Sequence, residues 1–179
     1  MVVVTTKEKL LDFLGHASDN YHVGFAALSL LENDQAKSLL SELTYEVEGH
    51  QFDFLYLSGA LQTPWAQEII LREFRKMCLR TFHNEVFEIV KGYCERTNQK
   101  KALWDQPWYH FARFLRNALS HQGYFTWFDD DEKWLPASWK GKTIKKEMKG
   151  TYADTTLFGY KDALDMYEEV RNFVAHGLA

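Results

Sequence analysis

Apolar residues recur every three or four positions through most of this 179-residue chain, the spacing of helices that bury one face. Thr5 followed by Glu8 reads as a capping box ahead of LLDFLGHA and predicts a first helix. A second is expected from about Asp19, and a third after Asp34 through DQAKSLLSELTYEV. Thr63 as N-cap and Pro64 as first helical residue open a long helix to about Arg96. Along it Ile70, Phe74, Met77, Cys78, Phe82, Val86, Ile89 and Tyr93 keep a helical period. Asp105-Gln106-Pro107 repeats the start signal, and Trp108, Phe111, Ala112, Leu115 and Leu119 then form a buried stripe that should stop near Gly123. A last helix is expected over Leu157–His176, with Gly177 just beyond its end.

Between the last two helices the pattern changes. Residues 124–154 alternate aromatic and polar side chains (YFTWF), pass through DDDEK, and continue as WLPASWKGKTIKKEMKGTYAD. This reads as an irregular insertion with one or two short strands, a hairpin being the natural form. No linker, low-complexity tract or long repeat divides the chain. The expectation is one all-α domain, residues 1–179, with a small insertion.

Composition fits a folded core: 46% of residues are hydrophobic and 16% aromatic. The aromatic share is high, enough to serve an interface as well as the core. A net charge of -4 argues against a general nucleic-acid coat and leaves local basic patches open. Cys78 and Cys94 lie about 24 Å apart on one helix at ~1.5 Å per residue, too far to bridge. That points to a reducing compartment. The start, MVVVTTKEK, has neither a basic leader nor an apolar span. A cytoplasmic protein without membrane contact is expected.

Candidate chemistry sits in RNALSHQG, residues 116–123, which RNFVAHG at 171–177 partly repeats. On a helix wheel Asn117 falls about 180° and His121 about 220° from Trp108. They would then touch on the face opposite the core stripe, beside Phe114 and His110, with Arg116 reaching round from the flank. An Arg, an Asn and a His on an aromatic-bearing outer face suggest a site that a ligand or second subunit covers. His can exchange a proton near neutral pH, Arg can stabilise a phosphate, and Asn can orient either. No carboxylate cluster accompanies them, so metal-free phosphodiester chemistry with the RNA 2′-hydroxyl as internal nucleophile fits this set, and neither metal nor cofactor is expected.

FARFLRNALSHQG resembles the R-x4-6-H motif of the HEPN superfamily, including the polar residue after Arg that the family favours. The resemblance implies a small helical bundle and a metal-independent endoribonuclease, with Arg116 and His121 catalytic and Asn117 supporting. It also implies a composite site across a homodimer, an RNA substrate, and a toxin–antitoxin or phage-defence setting in which an antitoxin or regulatory protein is a partner. Members paired with a nucleotidyltransferase antitoxin carry Tyr two residues after the His; here that position is Gly123, and Tyr124 follows one later.

Other readings stay open. The same residues suit a non-catalytic nucleotide- or RNA-binding module, or a helical interaction protein whose Arg and His only serve a helix end. In the second copy, Arg171 falls within the apolar stripe of its helix and reads as buried or snorkelling, with His176 near the chain end. Arg72, Lys76 and Arg80, with Arg75 beside them, can track an RNA backbone or form a solvated face. Lys140, Lys142, Lys145, Lys146 and Lys149 make a basic run beside Asp129, Asp130, Asp131 and Glu132, equally suited to RNA or to a charged partner.

Overall fold

The computed structural model describes residues 4–179; Met1, Val2 and Val3, part of the valine-rich start, lie outside the described residues. Among the described residues the chain is mostly helical. The elements are α1 (Lys7–Glu32), α2 (Asp34–Leu39), β1 (Thr44–Val47), β2 (His50–Asp53), α3 (Leu55–Leu61) and α4 (Pro64–Arg96). There follow α5 (Lys100–Trp104), α6 (Tyr109–Ser120), β3 (Ala137–Trp139), β4 (Lys142–Ile144) and α7 (Tyr160–Gly177). No helix among the described residues is long and apolar enough to cross a membrane.

Several sequence expectations shift. The two helices expected before Glu32 are one, and its cap is Thr6, whose Oγ1 accepts from the Lys9 amide at 3.3 Å. Ser18, Asp19 and Asn20 read as a new helix start, but inside a helix that is already propagating they cost little. The helix expected to run through TYEV instead ends after Leu39 and a short 3₁₀ turn, and Thr44–Val47 pairs with His50–Asp53 as an antiparallel hairpin. Its two-residue loop, Glu48-Gly49, has both φ positive (52° and 78°), as tight hairpin turns require.

Contacts divide the chain into two compact units, Asn20–Cys78 and Met1–Asp19 with Leu79–Ala179. Both boundaries fall inside long helices, α1 and α4, so no loop-forming sequence marks them. In Asn20–Cys78, Leu28, Leu61 and Leu71 are buried. Gly24 is required where Cys78 passes, since a Cβ there would meet Sγ at 2.7 Å. Every residue of β1 and β2 is exposed, although Tyr45, Val47 and Phe52 fall on one side of the ribbon.

The other unit carries the candidate motif. Leu10, Leu14 and Ala17 of α1 bury at helical spacing, as do Phe82, Val86, Val90 and Tyr93 of α4. Helix α7 contributes Ala163, Met166, Tyr167, Val170 and Val174, with Phe82 against Tyr167 at 5.5 Å between ring centroids. The expected insertion hairpin forms as β3–β4, turning at Lys140-Gly141 with φ 44° and 79°. It packs on α6, bringing the rings of Trp139 and Phe111 to 5.8 Å.

Phe158 ties these elements together: it is 2% exposed and contacts the rings of His83, Phe111 and Trp139. His83 is itself buried, and its Nε2 donates to the Ala112 carbonyl at 3.1 Å. Burial pushes its pKa down to about 4; the hydrogen bond to Ala112 opposes this and the nearby Arg116 charge adds to it.

Two predictions follow from this core. Phe158→Ala should lower stability by about 3–5 kcal/mol, while Phe52→Ala on the exposed ribbon should change it by less than about 1 kcal/mol; urea unfolding compares them. His83 is neutral when folded and protonates near pH 6.5 when unfolded, so its contribution is complete above that pH and falls away as pH drops toward 4. The loss should approach about 3 kcal/mol. Urea midpoints between pH 8 and 4 should fall in the native protein and flatten in His83→Gln; an equal slope in both would remove His83 from the account.

Candidate functional site

Helices α4 and α6 run antiparallel through the motif, as the order of their polar contacts shows. Asn84 Nδ2 donates to Ser120 Oγ at 3.2 Å, and one turn further along α4, Glu88 Oε1 lies 2.6 Å from Arg116 Nη2. Arg116 Nη1 donates to its neighbour Asn117 Oδ1 at 3.2 Å. The guanidinium is thus held at two nitrogens, with 30% of the side chain exposed.

This cluster is incompletely paired. Arg116 Nε and Asn84 Oδ1 are buried without a hydrogen-bond partner. Glu88 Oε1 touches Arg116 closely but is not aligned for a hydrogen bond. Buried polar atoms of native proteins normally find partners, so Arg116 Nε and Asn84 Oδ1 are exceptions in an otherwise paired seam. The Glu88 side chain is 42% exposed, and an ion pair so open contributes on the order of 1 kcal/mol or less. A phosphodiester could displace it.

Helix α6 stops as the sequence suggests, at Gly123. His121 is its last, half-helical residue, Gln122 takes φ 57°, and the Gly123 amide returns to the Ala118 carbonyl at 2.9 Å. His121 therefore leaves the helical path (φ -109°, ψ 55°) and stands exposed at the helix end. Its side chain makes no hydrogen bond or ion pair among the described residues. The side chains of Asn117 and His121 make no hydrogen bond with each other among the described residues: Asn117 Oδ1 accepts from Arg116, and the two residues are joined through the backbone, where the His121 amide donates to the Asn117 carbonyl at 3.1 Å.

The face expected to await a partner is also different. Phe114 is wholly buried, edge-on to Trp127 at 5.3 Å, and His110 stacks on Trp134 at 4.2 Å. Arg113 pairs with Asp131 at 2.5 Å. The insertion, not a second subunit, covers this side of α6. A one-helix wheel could not reveal that, since the covering residues lie beyond the helix end. Burial and the nearby Arg113 charge hold the His110 pKa below its ordinary value.

The remaining basic candidates are mostly paired within the chain. Arg72 and Lys76 share Glu73 at 3.1 Å each, and Arg75 meets Glu32. Lys140 pairs with Glu169 and Lys142 with Asp162, both at 3.0 Å; Lys146 meets Glu132, and Lys149 meets Asp129 at 3.3 Å. The Glu169 and Glu132 carboxylates raise the pKa of Lys140 and Lys146. Arg80 and Lys145 have no ion pair among the described residues. In the second motif copy, where Arg171 reads as buried or snorkelling, Arg171 is exposed, and His176 is exposed in the last turn of α7.

Sequence reasoning missed Asn84, Glu88 and Ser120. Their only signal was the spacing of Asn84 and Glu88 by four on α4, which gains meaning once α6 lies alongside. No group of three or more His, Cys, Asp or Glu side chains among the described residues is placed to hold a metal ion. Comparison with protein-family models, with curated proteins and with solved structures gives no match to this chain.

Proposed function

We propose that the protein is a metal-independent endoribonuclease of HEPN type, working as a homodimer in a toxin–antitoxin or phage-defence setting. The observation that carries this reading is the placement on one helix end of Arg116, part-exposed and oriented by Glu88 and Asn117, and the exposed His121 just beyond it.

The chemistry is transesterification. The RNA 2′-oxygen attacks the adjacent phosphorus, the bond to the 5′-oxygen breaks, and the products are a 2′,3′-cyclic phosphate and a 5′-hydroxyl. The proton lost from the 2′-hydroxyl is balanced by the proton gained by the 5′-oxygen. Arg116 stabilises the extra negative charge on the pentacovalent phosphorus, leaving Glu88 as the phosphate arrives. One imidazole cannot take one proton and deliver another in the same step. Two copies of His121, one from each protomer, supply the base and the acid. Asn117 holds the guanidinium in place.

A second reading, an RNA- or nucleotide-binding module that does not cut, draws on the same Arg116–Glu88 pair, because the carboxylate offsets the charge a transition state needs.

Mixed single-stranded RNA incubated in EDTA separates the two. Cleavage should persist under chelation and fall by about 100-fold or more in both His121→Ala and Arg116→Ala, with unchanged unfolding midpoints. RNA bound but uncut by the native protein, with binding sensitive to Arg116→Ala and indifferent to His121→Ala, would establish the binding module instead.

A further inference from the structure

Immediately past His121 the chain is clamped to a second segment. Ala153 N donates to Gly123 O at 2.7 Å, Phe125 N to Thr151 O at 2.9 Å, and Gly150 N to Phe125 O at 2.8 Å. These bonds set Tyr124 opposite Tyr152 in an antiparallel bridge. Phe125 is fully buried, so by strand alternation Tyr124 and the facing Tyr152 point outward. Their rings meet edge to face, 5.5 Å apart at 76°, and remain 48% and 42% exposed.

The arrangement is tightly built. Gly123 has φ 90°, and a Cβ there would lie 2.4 Å from Tyr152 Cε2, so the Tyr152 ring closes over the turn that carries His121. The Tyr124 amide donates to the His121 carbonyl at 3.1 Å, so the bridge begins within the turn that follows the candidate histidine.

We propose that Tyr124 and Tyr152 form a stacking platform for an unpaired nucleobase next to the scissile phosphate. The assignment rests on the nuclease reading above and deepens it: the substrate is single-stranded RNA. A base inside a duplex keeps both faces covered by its neighbours, whereas an unpaired base can lay its π-face on an aromatic ring whatever its identity. A phosphate held by Arg116 with an adjacent base held on Tyr124 would bring the ribose between them toward His121. The chemistry of this subsite predicts tolerance of sequence and intolerance of pairing.

The test uses the full-length protein and a short fluorescein-labelled 2′-O-methyl single-stranded RNA, which has no free 2′-hydroxyl to attack. Binding is read by anisotropy, beside cleavage of the unmodified RNA in EDTA. Tyr124→Ala should weaken binding by about 10-fold, within the range of single base–aromatic contacts, and Tyr124→Phe should not. Tyr152→Leu keeps the space above Gly123 filled without a ring and should behave like Tyr124→Ala. The preference for single strand over duplex should shrink in parallel. Variants that bind and cut like the native protein would overturn the platform and leave the nuclease reading standing. A loss in Tyr124→Phe equal to that in Tyr124→Ala would overturn it too, assigning the effect to the hydroxyl. Binding that depends on the rings without any cleavage would support the platform and remove the nuclease reading. A native protein that neither binds nor cuts RNA would remove both.

Discussion

One hydrogen bond inside the core, from the His83 imidazole to the Ala112 carbonyl at 3.1 Å, joins the two helices on which the candidate site is built. A carbonyl can only accept, so Nε2 must carry the proton, and burial keeps the ring neutral. That neutrality matters because Arg116 stands one turn further along α6. A charged His83 would place two cations in the same seam. With His83 neutral, Glu88, the only carboxylate in contact with the guanidinium among the described residues, is enough to balance it.

The seam is organised from dry to wet. At its inner end His83 lies under Phe158, which also touches Phe111 and Trp139 and so links α4, α6 and the β3–β4 hairpin. Toward the surface the contacts become the Arg116–Glu88 ion pair and then the Asn84–Ser120 hydrogen bond. Rigidity is supplied by aromatic burial, while the polar groups that would meet a ligand are held weakly enough to exchange partners. In the nuclease proposed above, the exchange of Glu88 for a phosphate would draw on that gradient.

The insertion gains a role from the same packing. Trp127 and Trp134 cover the side of α6 that bears Phe114 and His110, and Arg113 anchors Asp131. Its last residues return as Thr151–Ala153 to grip the turn after α6. What looks in the sequence like an aromatic, charged excursion is a brace around the C-terminal end of one helix, and most of its lysines are spent on carboxylates of the same chain.

By itself, the sequence determined the helical character of the chain, the Thr63-Pro64 start of α4, the amphipathic α6 with its stop at Gly123, and a hairpin within residues 124–154. These are local matters of period, capping and turn chemistry, readable within a window of a few residues. It also marked Arg116, Asn117 and His121, because their spacing is a local pattern as well. The fusion of two expected helices into α1, and the hairpin that replaces the end of the third, went the other way: SDN and TYEV each suit two local states, and tertiary context selects between them. Only the tertiary structure decided that Phe114 is buried and that Asn84 and Glu88 face the motif from 28 or more residues away in the chain. Contacts between distant segments leave no periodic trace in either one; they exist only once α4, α6 and the insertion are packed against each other.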